Sequence, residues 1–88
     1  MPPLPCILTI AGSDSSCGAG IQTDIKSIAA LGGYGLNALT SVVSEVPGLV
    51  PTVQLLDIAM IIDQIEVLLR GFPVKAIKTG MLGGLDQT

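Results

Sequence analysis

Hydrophobic runs separated by glycine and proline predict three strands and two helices. Cys6 to Ala11 is an unbroken apolar and β-branched run, typical of a strand buried on both faces of a sheet. Similar runs cover Asn37 to Val43 and Val74 to Thr79, and a short extended piece covers Val53 to Leu56. Apolar residues at helical spacing predict the two helices: Ile21, Ile25, Ile28 and Ala29 in the first, and Ile58, Ile61, Ile62, Ile65, Leu68 and Leu69 in the second.

The residues between these segments fit the ends of helices. Gly32 and Gly33 follow the first helix, where a glycine commonly ends the last turn, and Asp57 is a suitable N-cap for the second. Residues 80–84 are predicted as a loop, and Asp86 to Thr88 as the start of another helix. The order strand, helix, strand, helix, strand is typical of an α/β fold with a parallel sheet and right-handed crossovers.

The composition is apolar for a chain of 88 residues. Hydrophobic residues make up 49% of the chain and charged residues 12%. A small domain is mostly surface and needs polar residues to cover it. We therefore expect a part of a larger fold, with apolar faces that further strands and helices or a partner subunit cover. A homodimer is the expected assembly.

Charge and cysteine content limit the classes of partner. The formal net charge is −3 and the four basic residues are scattered, so a nucleic-acid partner is not expected. No apolar run reaches the roughly 18 residues of a membrane span, and the first five residues do not resemble a signal peptide. The chain has two cysteines and no histidine, which predicts neither a disulfide scaffold nor a metal site. We expect a cytoplasmic protein.

The segment Gly12 to Gly20, between the first strand and the first helix, predicts a ligand cradle. Its glycines, Gly12, Gly18 and Gly20, allow positive φ and a close approach of a ligand to the backbone. The free N–H groups at the start of the helix favour an anion or a polar acceptor. A tight turn without a ligand is the alternative. Because no Lys follows Gly18 and Thr23 replaces the third glycine of the dinucleotide fingerprint, neither common phosphate motif is present.

The ends of the three predicted strands are expected to form one site. Ligands of parallel α/β sheets bind outside the carboxyl ends of the strands. Here those ends are Gly12 to Gly20, Val43 to Glu45, and Gly80 to Leu82, and the glycine and polar residues that follow the strands gather at this one edge.

Two ordered runs at this cradle resemble a known family. Leu8-Thr9-Ile10-Ala11-Gly12-Ser13-Asp14 and Gly18-Ala19-Gly20-Ile21-Gln22-Thr23-Asp24-Ile25-Lys26 resemble the opening of the hydroxymethylpyrimidine/phosphomethylpyrimidine kinases of thiamine biosynthesis. Lys75 to Leu82 resembles the Lys-x-Gly-Met-Leu block of the same family. These kinases belong to the ribokinase-like superfamily, which also includes pyridoxal kinases. The resemblance implies a three-layer ribokinase-like α/β fold, of which residues 1–88 are the N-terminal β-α-β-α-β portion of a single, incomplete kinase domain.

The resemblance also implies a reaction and a set of binding residues. The expected reaction is the ATP-dependent phosphorylation of 4-amino-5-hydroxymethyl-2-methylpyrimidine and of its monophosphate. The residues implied to bind this substrate are Gly12, Ala19, Asp24, Val43, Glu45 and Met81. ATP, Mg²⁺ and the catalytic residues belong to a later glycine-rich segment of the family, so no catalytic residue is expected in this chain.

Asp24 and Glu45 each have a second interpretation. Asp24, predicted in the first turn of its helix, could instead stabilise the helix dipole. Glu45 stands where many of these kinases carry Gln in an Ala-Gln-Asn-Thr context. An amide donates and accepts hydrogen bonds, whereas an ionised carboxylate only accepts, so Glu45 suits an exocyclic amine but not a bare ring nitrogen unless one of the two is protonated. A solvated loop glutamate is the alternative.

Three other functions remain open at this point. The first is a pyridoxal or pyridoxine kinase, which acts on another hydroxymethyl heterocycle. The second is a non-catalytic small-molecule binding module that lacks the ATP half. The third is an unrelated α/β domain whose cradle is only a turn. Lys78 is interpreted as a surface charge, and Cys17 as a passive small residue of the cradle.

Overall fold

Four strands and two helices make up the part of the chain that the computed structural model describes, residues 4–80. They are β1 (Cys6–Asp14), α1 (Gly20–Ala30), β2 (Tyr34–Ser44), β3 (Thr52–Leu55), α2 (Ile58–Gly71) and β4 (Val74–Thr79). Every strand and helix predicted within this range is present. Residues 81–84 of the predicted loop, and the predicted helix start at Asp86, lie outside the described residues.

The strands form one mixed sheet in the order β3-β2-β1-β4. β1 pairs in parallel with β2 and with β4, as predicted. The short extended piece is β3, and it pairs antiparallel with β2. The loop between β2 and β3 is too short for the crossover of a dozen or more residues that a parallel pair requires, so the chain can only return antiparallel. The structure therefore adds an antiparallel edge strand to the predicted parallel sheet.

The two helices lie on opposite faces of the sheet. On one face Cys6, Leu8, Leu36 and Ala38 form the buried core, and Ile65 and Leu68 of α2 pack against it. On the other face the buried Thr9 of β1 hydrogen-bonds to Asp24 of α1, and Gly35 of β2 lies directly against Ile25. Because side chains alternate between the faces of a strand, each face carries its own helix. The three-layer arrangement is confirmed.

β1 is the central strand and continues beyond its predicted end. Leu8 and Thr9, which point to opposite faces, are both fully buried, as expected for a strand covered on both sides. The strand runs through Gly12 to Asp14, and its pairing with β2 shifts between Ala11 and Ser13. Residues predicted as the start of the cradle therefore belong to the sheet, which fixes their positions.

α1 ends as the sequence predicts. Gly32 has φ of 87°, a conformation that glycine adopts without steric cost. Its N–H donates to the carbonyl of Ala29 at 3.1 Å, and the N–H of Gly33 donates to the carbonyl of Ile28 at 2.9 Å. These are the two hydrogen bonds of a Schellman motif. Asp57 occupies the predicted N-cap position of α2, but its side chain makes no capping hydrogen bond.

A side chain from α2 completes the edge of β2. β3 pairs with β2 only from Ser41 to Ser44. Two residues before Ser41, the N–H of Leu39 donates to Oε1 of Gln64 at 2.9 Å, and Nε2 of Gln64 donates to the carbonyl of Leu39 at 2.9 Å. The glutamine amide thus imitates the backbone of a neighbouring strand. The hydrophobic pattern did not predict this contact.

Much apolar surface is exposed. The exposed large side chains include Met60, Ile62, Val67 and Leu69 on α2, Ile77 on β4, and Val46, Leu49, Val50, Val53 and Leu55 around β3. Only part of the predicted stripe of α2 is covered, since Ile62 and Leu69 are each 48% exposed. Within residues 4–80, no helix is long and apolar enough to cross a bilayer.

Candidate functional site

A cleft of about 650 Å³ lies at the carboxyl ends of the parallel strands. Its walls come from the ends of β1, β2 and β4, from the start of α1 and from β3. The lining residues are Ala11, Gly12, Ser13, Asp14, Ala19, Gly20, Ser41, Val43, Glu45, Val53, Lys78 and Gly80. The cleft lies at the sheet edge where the sequence predicts a single site.

The structure brings most of the predicted binding residues together. Gly12, Ala19, Val43 and Glu45 line the cleft. Asp24 is not among the lining residues, and Met81 lies outside the described residues. Val43 lies near the end of β2, and Glu45 directly follows the last residue of that strand.

The loop between β1 and α1 folds around the carboxylate of Asp14. Oδ1 accepts hydrogen bonds from the backbone N–H and the hydroxyl of Ser16, at 2.8 and 2.7 Å, and Oδ2 accepts one from the N–H of Gly18 at 3.0 Å. Asp14 is only 5% exposed. The hydrogen bonds from the side chain and backbone of Ser16 hold the pKa of Asp14 below its ordinary value, so this residue is ionised at neutral pH.

Gln22 of α1 fixes the other side of this loop. Its Oε1 accepts from the N–H of Asp14 at 2.9 Å, and its Nε2 donates to the hydroxyl of Ser13 at 2.7 Å. α1 itself has no side-chain N-cap at Ala19. Gln22 therefore replaces a conventional cap as the link between the first turn of the helix and the end of β1.

Ser15 joins the ends of β1 and β2. Its hydroxyl accepts from the N–H of Glu45 at 2.8 Å and donates to the carbonyl of Glu45 at 3.0 Å, while its own N–H donates to the carbonyl of Val43 at 3.0 Å. A single residue thus fixes the backbone at Val43 and Glu45, two of the residues that line the cleft.

Glu45 and Asp14 form a pair of interacting carboxyl groups in the cleft. Partial burial raises the pKa of Glu45 above its ordinary value, and the negative charge of Asp14 and a hydrogen bond with it act in the same direction. Two adjacent carboxyl groups that share a proton avoid the repulsion of two charges. Because Asp14 is stabilised as a carboxylate, Glu45 is the member of the pair that more readily carries the proton.

Asp24 is committed to contacts within the protein. It is the fifth residue of α1, and no acidic residue lies in the first turn, so the predicted first-turn position is wrong. Its Oδ2 accepts from the Thr9 hydroxyl at 2.6 Å, and Nζ of Lys78 lies 3.0 Å from both carboxylate oxygens. Partial burial raises its pKa, but the hydrogen bonds from Thr9 and Lys78 and the Lys78 charge together lower it below the ordinary value.

Two glycines of the cradle are required by packing of the chain itself. A Cβ on Gly12 would collide with Oγ of Ser41, and a Cβ on Gly20 would collide with the carbonyl of Gly12. Within the cradle only Gly20, at 68°, and Cys17, at 62°, have positive φ. Gly12 and Gly18 do not use the freedom for positive φ that glycine has.

Sequence reasoning missed Asp14, Ser15 and Lys78. Asp14 followed by serine two positions later is the signal of an Asx turn, which could have been recognised. The contact of Ser15 with Glu45 joins the residues that directly follow β1 and β2, and it has no local sequence signal. Lys78, interpreted above as a surface charge, lines the cleft and pairs with Asp24.

Together these features define a small-molecule binding cleft at the carboxyl edge of a three-layer α/β sheet. Val43 and Val53 offer apolar contact, while the Asp14–Glu45 pair and Lys78 offer hydrogen bonds and charge. Apolar walls with a few fixed polar groups suit a polar heterocycle better than a long apolar chain or a polymer.

The sequence matches the profile of the phosphomethylpyrimidine kinase family over residues 14–88. The chain belongs to this family. It is 45% identical, over 85 residues and 97% of its length, to the thiamine biosynthesis multifunctional protein ThiED of Corynebacterium glutamicum. The fold is similar to the crystal structure of a phosphomethylpyrimidine kinase from Clostridium difficile, with a TM-score of 0.87 and 41% identity over 91% of this chain.

A second similar structure belongs to a kinase with a different substrate. It is the pyridoxal kinase of Bacillus subtilis, solved as an ADP complex, with a TM-score of 0.87 and 42% identity over 94% of this chain. The present chain spans only part of each of these proteins: 11% of the Corynebacterium protein, 35% of the Clostridium chain and 32% of the Bacillus chain.

Proposed function

We propose that this chain forms the substrate-binding part of an ATP-dependent kinase that phosphorylates 4-amino-5-hydroxymethyl-2-methylpyrimidine and its monophosphate in thiamine biosynthesis. The observation that carries the proposal is the cleft, where Gly12, Ala19, Val43 and Glu45 converge in a member of the phosphomethylpyrimidine kinase family. Val43 would pack on the pyrimidine ring and Glu45 would hydrogen-bond to its polar edge. Residues 1–88 would then be the N-terminal portion of a single kinase domain.

Met81 and Asp24 have separate places in this proposal. Met81 would complete the wall of the ring site next to Gly80, which lines the cleft. Asp24 would act on the substrate through Lys78, whose ammonium it holds at the cleft. A direct contact between Asp24 and the substrate hydroxyl would require the side chain to exchange its present partners.

ATP and Mg²⁺ are proposed to bind outside the residues described. Phosphoryl transfer needs metal ions that bridge the phosphates and residues that position them. Among residues 4–80, no group of three His, Cys, Asp or Glu side chains could hold a metal ion. We also propose a cytoplasmic homodimer, because ATP is a cytoplasmic substrate and the sheet leaves much apolar surface uncovered.

Pyridoxal is the second candidate substrate. It is favoured by the similarity to the Bacillus pyridoxal kinase, whose TM-score equals that of the Clostridium phosphomethylpyrimidine kinase. Both compounds are flat heterocycles that carry a hydroxymethyl group, and the described part of the cleft can accept either.

A substrate competition with the full-length protein tests the proposal. The protein is incubated with MgATP and equal concentrations of the hydroxymethylpyrimidine and pyridoxal, and products are measured by mass spectrometry. We expect the pyrimidine monophosphate, and then the diphosphate, to form faster than pyridoxal phosphate. Faster formation of pyridoxal phosphate would select the second candidate, and binding of the pyrimidine without ATP turnover would select a non-catalytic binding module.

A further inference from the structure

The loop after β1 holds Asp14 as a hydrogen-bond acceptor. Its two oxygens receive the N–H and hydroxyl of Ser16 and the N–H of Gly18, all within 3.0 Å. These three donors stabilise the ionised form of Asp14 relative to the protonated form. The loop geometry therefore favours an ionised Asp14, which is acceptor-only.

The backbone of Glu45 is held next to the Asp14 loop. Both its N–H and its carbonyl are bound by the hydroxyl of Ser15, at 2.8 and 3.0 Å, and Ser15 is adjacent to Asp14 in the chain. In the β1–β2 register, Asp14 lies opposite Val43, two residues before Glu45. The two carboxyl groups thus face the same cleft from neighbouring strand ends.

The other elements around the cleft do not offset the charge of Asp14. β4 contributes Lys78, but its ammonium lies 3.0 Å from both oxygens of Asp24 of α1, so its charge is compensated. β3, whose sequence is Thr-Val-Gln-Leu, contributes no ionisable side chain. β2 and the residue after it contribute Ser41, Val43 and Glu45 to the cleft, and of these only Glu45 is ionisable. Asp14 is therefore the charge that Glu45 meets.

We propose that Glu45 determines specificity as a neutral carboxylic acid, donating one hydrogen bond to a ring nitrogen of an aminopyrimidine and accepting another from its exocyclic amine. This inference rests on the proposed function and refines it. A neutral carboxylic acid has one O–H donor and one carbonyl acceptor, the same pattern as a glutamine amide. The O–H, which hydrogen-bonds to Asp14 in the free protein, turns to the ring nitrogen when the substrate binds. Asp14 and Ser15 are positioning residues, since they act on the substrate only through Glu45.

The proposal makes substrate affinity depend on pH in a defined direction. When Glu45 is ionised in the free protein, binding must take up a proton, and affinity falls as the pH rises. A raised pKa shifts this fall toward higher pH but does not remove it. Glu45→Gln keeps both hydrogen bonds and needs no proton, so its affinity has no such fall.

The test is isothermal titration calorimetry of the hydroxymethylpyrimidine with the full-length protein and its Glu45→Gln variant, from about pH 5 to about pH 9. Titration of the ligand itself affects both proteins equally and cancels in the ratio of their Kd values. We expect this ratio, wild type over variant, to be near unity at the acidic end and to rise by about tenfold per pH unit above the pKa of Glu45. At alkaline pH the variant binds more tightly than the wild type.

Proton uptake gives an independent readout. Titrations in buffers with different ionisation enthalpies measure the protons taken up on substrate binding. At alkaline pH the wild type should take up about one proton more than the Glu45→Gln variant. Glu66→Gln, at an exposed glutamate of α2, is the matched control and should follow the wild type at every pH.

Two results would overturn the inference while leaving the kinase proposal intact. One is a Kd ratio that does not change with pH. The other is weaker binding by Glu45→Gln at every pH, which would mean that the ionised carboxylate is the binding form. A wild type that does not bind the pyrimidine at any pH would overturn both proposals.

Discussion

At the scale of single residues, the site depends on polar side chains that are satisfied within the protein. Asp14 organises the loop after β1, Ser15 holds the backbone of Glu45, and Asp24 holds Lys78 and the buried hydroxyl of Thr9. Buried polar groups are costly unless they are paired. The same contacts that stabilise the end of the sheet therefore set the positions of the groups that line the cleft.

Asp24→Ala tests whether this residue supports the structure or only binds the ligand. The change leaves the fully buried Thr9 hydroxyl without its acceptor and frees Lys78. We expect the free energy of unfolding of the full-length protein to fall by about 1–3 kcal/mol at neutral pH, mostly from Thr9, because a pair with an exposed lysine contributes little. Urea denaturation measures the change.

The effect of Asp24→Ala should also depend on pH. The folded-state pKa of Asp24 is lowered, so its carboxylate contributes stability above its unfolded-state pKa of about 3.8. That contribution is lost as the pH falls through the folded-state value. The difference between wild type and variant should shrink below about pH 4. Asp63→Ala, at an exposed position of α2, is the control; an unchanged urea midpoint with weaker substrate binding would contradict the structural role.

At the scale of elements, the mixed sheet follows from the length of its connections. Helical crossovers join the three parallel strands, while the short loop after β2 returns the chain antiparallel as β3. β3 is only four residues long and leaves part of the β2 edge uncovered. Gln64 of α2 covers the next position through two hydrogen bonds to Leu39.

Gln64→Leu should destabilise the contact between α2 and β2. Leucine has a similar size but cannot pair with the N–H and carbonyl of Leu39. Since a typical hydrogen bond contributes about 0.5–1.5 kcal/mol, the loss of two should lower the free energy of unfolding by about 1–3 kcal/mol. The measurement is urea denaturation of the full-length protein.

Gln54→Leu supplies the matched control for this variant. Gln54 lies on β3 and is exposed, so the same chemical change should have little effect on stability there. Equal urea midpoints for the Gln64 and Gln54 variants would contradict the role assigned to Gln64.

At the scale of the whole molecule, residues 4–80 leave an extensive apolar surface uncovered. β4 has a strand partner only on its β1 side within the described sheet, and Ile77 is 54% exposed. α2 exposes Met60 and Val67 on the side away from the core. Unpaired strand edges and large apolar patches promote association.

Residues 1–88 expressed alone should therefore self-associate, whereas the full-length protein should be monodisperse. Light scattering after size-exclusion chromatography measures the masses. Ile77→Lys places a charge on the edge strand and should reduce the association of the 88-residue piece. A monodisperse 88-residue protein with cooperative urea unfolding would show that the exposed apolar surface needs no further cover.

Much of the fold was predictable because its signals are local. The apolar runs predicted β1, β2 and β4, the helical spacing predicted α1 and α2, and Gly32 and Gly33 marked the end of α1. The position of the site at one sheet edge followed from the parallel order. Four of the predicted binding residues, Gly12, Ala19, Val43 and Glu45, lie in the cleft; their roles in binding remain predictions.

By itself, the sequence determined the α/β class, the order of elements and the sheet edge that carries the cleft. These depend on periodicity and on the backbone freedom of particular residues, which short segments encode. Only the tertiary structure decided the pairing of Asp24 with Lys78 and the meeting of Asp14 with Glu45. Those contacts join residues 30 or more positions apart or 54 positions apart, and their strength depends on burial and charge that arise only after the strands have paired.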